Sequence, residues 1–361
     1  MAAVIEAHGL QRHFGGRSSW FGRSSPVRAV DGIDLAIEEG ETFAIVGESG
    51  CGKSTLARVL AGLMPASAGS VSFRGRDLTT LDPAERKRLR RDMQFVFQDP
   101  FSSLNPRMTA GALIGEPLAA HDIGDATGRR RKVAELMARV GLRPEHASRY
   151  PHEFSGGQRQ RIGIARALAT GPSVIVGDEP VSALDVSIQA QVINLLEELK
   201  TEFGLTLVVI SHDLTVIHHM ADRVAVMYLG QIVELAPVRE LFASPRHPYT
   251  AALLAAIPMD GRMPAQPLEG DPPNPLSPPS GCRFHTRCPH AVAACSADAP
   301  ALEATEDGGG NRAVACHRAR ELSLRGADGG GRPPATAAAR RFELYRRARE
   351  VPVMTGREHR S

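Results

Sequence analysis

The sequence predicts an α/β protein whose core is a mostly parallel sheet. One observation is a glycine-rich loop, residues 47–55, between an apolar strand candidate and a helix candidate. A second is that apolar runs of strand length alternate with helical patterns after this loop, as they do in βαβ units. The third is a helical stretch at residues 104–148, which predicts an insertion in the middle of that core.

The predicted elements follow one another in a consistent order. Apolar runs predict strands at Ala2–Ala7, Ala29–Ile37, Thr42–Val46, Gly69–Phe73, Asp92–Phe97, Val174–Val176, Leu205–Ile210 and Val224–Tyr228. Helical spacing predicts helices at Thr55–Ala61, Pro83–Arg91, Arg159–Ala169 and Val186–Lys200. A further helix, with its apolar face at residues 133–140, should end at Gly141.

Length and composition limit the classes of protein that this chain can represent. Its 361 residues predict two domains, or one large domain with an appendage. The formal net charge of +3 gives no indication of a nucleic-acid partner, and we expect none. No apolar run approaches the roughly 18 residues that cross a bilayer, and the first residues lack the pattern of a signal peptide. We therefore expect a cytosolic protein with reduced cysteines, which favours metal ligation over disulfides.

The glycine-rich loop carries the first recognisable chemistry. It matches G-x-x-x-x-G-K-S/T and reads Gly47-Glu48-Ser49-Gly50-Cys51-Gly52-Lys53-Ser54-Thr55. Glycines let successive backbone N–H groups turn toward the phosphates of a nucleotide, and the following helix adds its positive end. Lys53 is predicted to reach the β and γ phosphates, and the Ser54 hydroxyl to bind Mg²⁺. The alternative is an ordinary glycine-rich turn.

Two acids follow a buried strand candidate further along the chain. The apolar run Val174 to Val176 is followed by Gly177, Asp178 and Glu179. Asp178 is predicted to hold Mg²⁺ through water beside Ser54. Glu179 is then placed to accept a proton from the attacking water. A solvated acidic turn is the alternative for this pair alone, and the phosphate-binding loop upstream favours the catalytic interpretation.

A second glycine-rich turn comes about a hundred residues after the first. It consists of Ser155, Gly156, Gly157 and Gln158, and a predicted helix follows it. Backbone N–H groups at such a helix start form an anion site. Two phosphate-binding turns from different parts of one chain suggest a nucleotide held between two copies.

Together these motifs resemble the ATP-binding subunits of ABC transporters. The set comprises the loop Gly47–Thr55, Gln98, Ser155–Gln158, Asp178–Glu179, Ser182-Ala183-Leu184-Asp185 and His212. Phe154 and Gly177 depart mildly from the usual residues at their positions. The resemblance implies a P-loop NTPase of ABC type: a mostly parallel core, an N-terminal antiparallel β part and a helical subdomain at about 104–170.

Two further motifs resemble those of oligopeptide and dipeptide importer ATPases. They are Phe95–Pro106 and Arg246–Thr250, and the likeness covers roughly residues 4–320. It implies an ATPase that lies at the cytoplasmic face of the membrane and powers the uptake of peptides. The implied partners are two transmembrane permease subunits, a second ATPase subunit of identical or related sequence and, through the complex, an extracytoplasmic solute-binding protein. The alternatives are another small solute, such as nickel or glutathione, and a soluble ABC ATPase without a role in transport.

The resemblance also implies roles for single residues. Each ATP would lie between Lys53 of one subunit and the Ser155–Gln158 turn of the other. Gln98 would contact the metal near the face that docks on the membrane subunits, His212 would contact the γ phosphate, and Asp185 would join the two sites across the dimer. An aromatic residue should stack on adenine. Phe14 is our prediction, with Trp20 or Phe21 as alternatives.

The composition changes after Pro237, and the chain is predicted to divide there. Residues 1–236 would form the ATPase domain, 237–322 a C-terminal extension, and 323–361 a Gly- and Arg-rich tail, partly disordered or with a helix at 340–350. The extension carries Cys282, Cys288, Cys295 and Cys316.

Four cysteines in a reduced protein suit either Zn²⁺ or an iron–sulfur cluster. Neighbouring arginines, namely Arg283, Arg287 and Arg318, should favour the thiolate form. The resemblance implies a 4Fe–4S cluster, with Zn²⁺ as the alternative, and His285, His290 and His317 could replace a cysteine ligand. Four unligated buried cysteines remain a further alternative, and Cys51 is predicted to be a small filler in the phosphate-binding loop.

Overall fold

The computed structural model describes residues 2–15, 18–19, 22–23, 26–99, 103–182, 184–257, 270–305 and 311–327. Trp20, Phe21 and Ala183 lie outside these ranges, as do residues 328–361 with their predicted helix. The predictions made for those positions stay predictions.

The two sheets and the helices around them are built from the following elements. The strands are β1 Ala3–Phe14, β2 Val27–Glu38, β3 Thr42–Val46, β4 Ala68–Phe73, β5 Arg76–Asp77, β6 Met93–Val96, β7 Val174–Asp178, β8 Thr206–Ile210, β9 Arg223–Tyr228, β10 Gln231–Pro237, β11 Glu303–Ala304 and β12 Ala313–Val314. The helices are α1 Lys53–Leu60, α2 Pro83–Asp92, α3 Ala110–Ala120, α4 Ala126–Arg139, α5 Gly156–Leu168, α6 Val186–Phe203, α7 Leu214–Met220, α8 Val238–Ala243, α9 Pro248–Ala255 and α10 Ala293–Ala297.

The main sheet has eight strands in the order β11-β12-β10-β9-β3-β8-β7-β6. Strands β9, β3, β8, β7 and β6 pair in parallel, whereas β10, β11 and β12 add antiparallel pairs at one side. Because the ends of parallel strands meet at one edge, the loops that follow β3, β7 and β8 are brought close together. The predicted phosphate-binding glycines, Glu179 and His212 lie in these loops, and Asp178 is the last residue of β7.

A second sheet confirms the predicted antiparallel part at the N-terminus. Its order is β2-β1-β4-β5, and every pair in it is antiparallel. A short ladder also pairs Ser18–Ser19 with Gly22–Arg23.

Apolar side chains cover both faces of the main sheet. Alternate residues of β3 face opposite sides: Phe43 and Ile45 join a cluster with α1 and the antiparallel sheet, while Ala44 and Val46 join one with α5, α6 and the helical insertion. A strand that is buried on both faces has a continuous apolar sequence, as residues 42–46 do.

The helical insertion between β6 and β7 forms as predicted. Thr109 caps α3 by accepting a hydrogen bond from the Ala112 N–H, and Asp125 caps α4 in the same way. Gly141 follows α4 with a φ of 72°, in the left-handed region that a helix end requires. The prediction that Gly141 ends this helix is therefore confirmed.

The chain after Pro237 adds strands to the main sheet. Strand β12 pairs with β10, with Glu234 of β10 opposite Val314. The buried carboxylate of Glu234 accepts a hydrogen bond of 3.0 Å from Arg312. The same carboxylate accepts from the backbone N–H groups of Arg246 and His247. Burial lowers the pKa of His247 to about 3. Its neutral ring can therefore accept a hydrogen bond from the Tyr249 N–H at the start of α9.

Strands β10, β11 and β12 were not anticipated from the sequence. Two of them are only two residues long, and β10 interrupts its apolar residues with Glu234. Among the described helices, none combines the length and apolar character needed to span a bilayer.

Candidate phosphate-binding and catalytic site

The loop between β3 and α1 has the backbone that its glycines allow. Gly47 and Gly52 have φ angles of 150° and 108°, which side-chain-bearing residues rarely adopt. A Cβ atom at Gly47 would overlap the Met227 carbonyl oxygen, and one at Gly52 would overlap the Ala29 carbonyl oxygen. Both glycines are required because neighbouring backbone passes directly against them.

Lys53 lies buried within this loop, at the start of α1. Its Nζ donates hydrogen bonds of 2.8 Å to the carbonyl oxygens of Gly47 and Glu48. Bonds to two carbonyls hold the ammonium group where an anion bound by the loop would meet it. This arrangement fits the predicted role of Lys53, and phosphate binding by Lys53 stays a prediction.

Ser54 and Asp178 meet across the sheet, although 124 residues separate them. The Ser54 hydroxyl donates to Asp178 Oδ1 at 2.7 Å. Hydroxyl and carboxylate oxygens are the donors that Mg²⁺ prefers, and Mg²⁺ takes only one or two protein ligands when phosphates supply the others. The donor set therefore fits the predicted metal. Arg58 of α1 lies 3.6 Å from Asp178 Oδ2, a contact that the sequence did not indicate.

The Glu179 carboxylate contacts two of the other predicted site residues. Gln98 Nε2 donates to its Oε2 at 2.9 Å, and His212 Nδ1 lies 3.2 Å from its Oε1. The Glu179 N–H donates to the Ile210 carbonyl at the end of β8. Its φ of 48° is in the left-handed region, which is uncommon for a residue with a side chain. Two residues from separate parts of the sequence thus converge on the Glu179 carboxylate.

The second glycine-rich turn forms the start of α5. The Ser155 hydroxyl accepts from the Gln158 N–H, and Gln158 Oε1 accepts from the Ser155 N–H at 3.0 Å. A Cβ atom at Gly157 would overlap Ile188 of α6, so this glycine permits the close approach of two helices. No hydrogen bond joins this turn to the 47–55 loop in the part of the chain that the structure describes.

Comparison with known proteins assigns this arrangement to a family. A family model described as ABC transporter matches residues 30–182. A probable peptide ABC transporter ATP-binding protein, y4tS of Sinorhizobium fredii, is 52% identical over 87% of this chain and 90% of its own. The chain belongs to the ABC transporter ATP-binding family. Members of this family hydrolyse ATP to power transport.

Other similarities agree with this family. A model for the oligopeptide/dipeptide transporter C-terminal region matches residues 233–295. The oligopeptide transport ATP-binding protein OppF of Escherichia coli is 50% identical over 83% of this chain and 92% of its own. The dimeric ATP-binding cassette MJ0796 bound to ADP and Pi is 31% identical, with a TM-score of 0.58 over 65% of this chain and 99% of that one. The ABC ATPase fold is therefore confirmed.

The remaining predicted site residues have varied surroundings. Phe14 ends β1 half-buried, with the Arg12 guanidinium 4.7 Å from its ring centroid. Asp185 precedes α6, and its side chain makes no capping hydrogen bond. Cys51 is buried in the apolar cluster beneath the loop, which agrees with its predicted role as a filler. The predicted roles of Phe14 toward adenine and of Asp185 across a dimer stay predictions.

Glu48 differs from the expectation for a phosphate-binding residue. Its N–H donates to the Tyr249 hydroxyl at 2.8 Å, and its carboxylate accepts two hydrogen bonds from Arg287. Neither group is available to a phosphate in this arrangement. No local pattern in the sequence indicates these partners, because Arg287 lies 239 residues further along the chain.

The four cysteines of the extension line one cavity, together with His285, His290 and His317. Its free volume is about 10 Å³, which is close to the space of one water molecule. Among the described residues, no group of three or more His, Cys, Asp or Glu side chains is arranged to hold a metal ion. The predicted cluster or zinc site is therefore not supported by the arrangement as it stands.

The predicted thiolate character is wrong for Cys282, Cys288 and Cys316. Burial raises the pKa of Cys282 and of Cys288, and raises the pKa of Cys316 to about 11. The three neighbouring arginines pair with acids instead: Arg283 with Asp31, Arg287 with Glu48, and Arg318 with Glu321.

Proposed function

We propose that this chain is the ATP-hydrolysing subunit of an importer of dipeptides and oligopeptides. The observation that carries the catalytic part is the meeting of Gln98, Glu179 and His212 at the edge where Ser54 and Asp178 also meet. The peptide part is supported by relatives named as peptide transport proteins, at about half identity along most of the chain. Nickel, glutathione and a role outside transport are less well supported.

In this proposal Glu179 accepts the proton of the water that attacks the γ phosphate. Gln98 and His212 orient its carboxylate, and His212 also contacts the γ phosphate. Lys53 binds the β and γ phosphates. Mg²⁺, held by Ser54 and Asp178 and contacted by Gln98, would neutralise charge on the phosphate oxygens.

The site is completed by a second ATPase subunit in this proposal. The Ser155–Gln158 turn of one subunit would cover the nucleotide bound to the other, Asp185 would link the two sites, and Phe14 would stack on adenine. The dimeric structures of the related cassette MJ0796 support the pairing of two subunits.

We assign the other partners by the same reasoning. Two permease subunits would form the pathway, an extracytoplasmic protein would deliver the peptide, and this chain would bind at the cytoplasmic face of the membrane. The proposed division is an ATPase domain at 1–236, an extension at 237–322 and a tail at 323–361.

The transport function is tested on the complex purified from membranes. We expect two permease subunits to co-purify, and a dipeptide or tripeptide with its binding protein to stimulate ATP hydrolysis in proteoliposomes. Nickel and glutathione serve as matched control solutes. Stimulation by either control, and not by peptides, would contradict the proposed substrate class.

We also propose that Cys282, Cys288, Cys295 and Cys316 bind a metal centre, with a 4Fe–4S cluster preferred to Zn²⁺. Two features support this proposal: all four line one cavity, and four thiols suit either centre. Each ligand would release its proton on binding.

Anaerobic purification of the full chain should then give a brown protein that contains iron. Cys316→Ala should lower the iron content, whereas Cys51→Ala, outside the cavity, should not. Colourless protein with stoichiometric zinc would reject the cluster, and protein without either metal would reject the metal centre.

A further inference from the structure

The phosphate-binding loop is bonded to the C-terminal extension through one residue pair. Arg287 donates from Nη1 to Glu48 Oε2 at 2.8 Å and from Nη2 to Glu48 Oε1 at 3.0 Å. This is a bidentate arrangement, which fixes orientation as well as distance. The Arg287 side chain is 5% exposed and that of Glu48 25%, so water screens the pair only in part.

The backbone of Glu48 is held on both of its sides as well. Its N–H donates to the Tyr249 hydroxyl, and its carbonyl accepts from Lys53 Nζ. Arg287 also donates to the Tyr228 hydroxyl at 3.3 Å, and Tyr228 packs on Tyr249 with ring centroids 4.6 Å apart. Displacement of Arg287 would therefore disturb the side chain of Glu48 directly. It would also disturb the backbone of Glu48, through Tyr228 and Tyr249.

The charges of Arg287 and Glu48 give a second reason to expect that this pair affects nucleotide binding. The Glu48 carboxylate belongs to a loop whose proposed ligand carries several negative charges. Without a cation beside it, this carboxylate would repel the phosphates and would lie half-desolvated, which is costly. The guanidinium of Arg287, in bidentate contact with Glu48, cancels that charge.

The extension holds Arg287 firmly. The residue ends a short 3-10 turn, His285–Arg287, between Cys282 and Cys288. Phe284, just before this turn, is almost fully buried and packs on Tyr228 and Tyr249 with ring centroids 5.3 Å from each. The segment that presents Arg287 is thus packed on the aromatic cluster beside the loop.

We infer that Arg287 is a positioning residue of the ATP site: through Glu48 it holds the phosphate-binding loop and cancels the carboxylate charge there. The extension is by this inference a working part of nucleotide binding in every subunit. The inference rests on the proposed ATPase function. It assigns a role to a residue outside the proposed ATPase domain. Arg287 is expected to affect the affinity for ATP more than the rate of the chemical step.

The test measures the dissociation constant of ATP with Mg²⁺ for the full chain, together with KM and kcat of hydrolysis. We expect Arg287→Ala to weaken ATP binding about tenfold, within the usual range for coupling between sites, and to raise KM more than it lowers kcat. Arg287→Lys should lie between this variant and the wild type, since it restores the charge without the bidentate geometry.

A second substitution separates the role in the site from a loss of folding. Adding Glu48→Gln to Arg287→Ala removes the uncancelled charge, and should recover a large part of the lost affinity. Arg318→Ala is the matched control, because Arg318 pairs with a glutamate inside the same extension and does not contact the loop. It should bind ATP as the wild type does.

The outcomes distinguish this inference from the proposed function. If the wild type binds ATP and Arg287→Ala binds it equally well, the inference is wrong and the proposed function is unaffected. If the double variant is no better than Arg287→Ala, or Arg318→Ala is equally impaired, Arg287 acts only through the stability of the extension, and the inference is again wrong. A wild type that fails to bind ATP contradicts the proposed function itself.

Discussion

Replacing Glu179 with glutamine should lower ATP turnover by about 10²- to 10⁴-fold, the range attributed to general acid–base catalysis, while ATP still binds. Glutamine has almost the same shape as glutamate, and its amide can still bond to Gln98 and His212. It cannot accept the proton of the attacking water. The nucleotide should therefore accumulate uncleaved, and a closed dimer with trapped ATP should form.

Single-turnover hydrolysis, nucleotide binding and the mass of the particle in solution measure these three effects separately. Glu198→Gln is a matched control, since Glu198 is exposed on α6. Hydrolysis by Glu179→Gln at the wild-type rate would refute the role of Glu179 as base. Loss of ATP binding together with hydrolysis would show that the substitution acts on the loop instead.

Replacing Gly52 with alanine should weaken ATP binding by about 100-fold or more. The φ of 108° at Gly52 is strained for any residue with a Cβ atom, and here the added atom would also overlap the Ala29 carbonyl oxygen. The loop can accept alanine only by moving away from β2. A displacement that costs about 3 kcal/mol corresponds to roughly a hundredfold in affinity.

The neighbouring glycine supplies the control for this variant. Gly50 has a φ of 80°, but a Cβ atom there meets no other atom within 4 Å. Gly50→Ala therefore carries the backbone strain without the overlap. Its affinity for ATP should be lower than that of the wild type by no more than about tenfold. Titration with a fluorescent ATP analogue compares the two. Equal affinities for both variants would mean that contact with Ala29 does not shape the loop.

Much of the fold could be predicted, because its main strands are buried on both faces and so have continuous apolar sequences. The sequence also indicated that Ser54 and Asp178 belong to one site, since the loops after parallel strands meet at one edge of the sheet. That Gln98 and His212 bond directly to Glu179 was not predictable, since this depends on side-chain placement across 81 and 33 residues of chain.

The errors and omissions have physical causes. The partners of Glu48 come from the extension, and no local pattern marks a contact between residues so far apart in sequence. The thiolate prediction failed because it counted arginines by their position in the sequence. In the fold Arg283 and Arg287 bond to Asp31 and Glu48, and burial decides the pKa of the nearby thiols.

The left-handed backbone of Glu179 has a consequence for how this protein could change under selection. Glycine would adopt a φ of 48° with less strain, whereas a residue with a Cβ atom gives up about 1 kcal/mol or more there. Selection for thermal stability alone would therefore favour the replacement of Glu179 by glycine. In the proposed mechanism, selection for ATP turnover opposes this replacement, so a descendant protein that no longer hydrolyses ATP should lose Glu179 early, while the surrounding sheet persists.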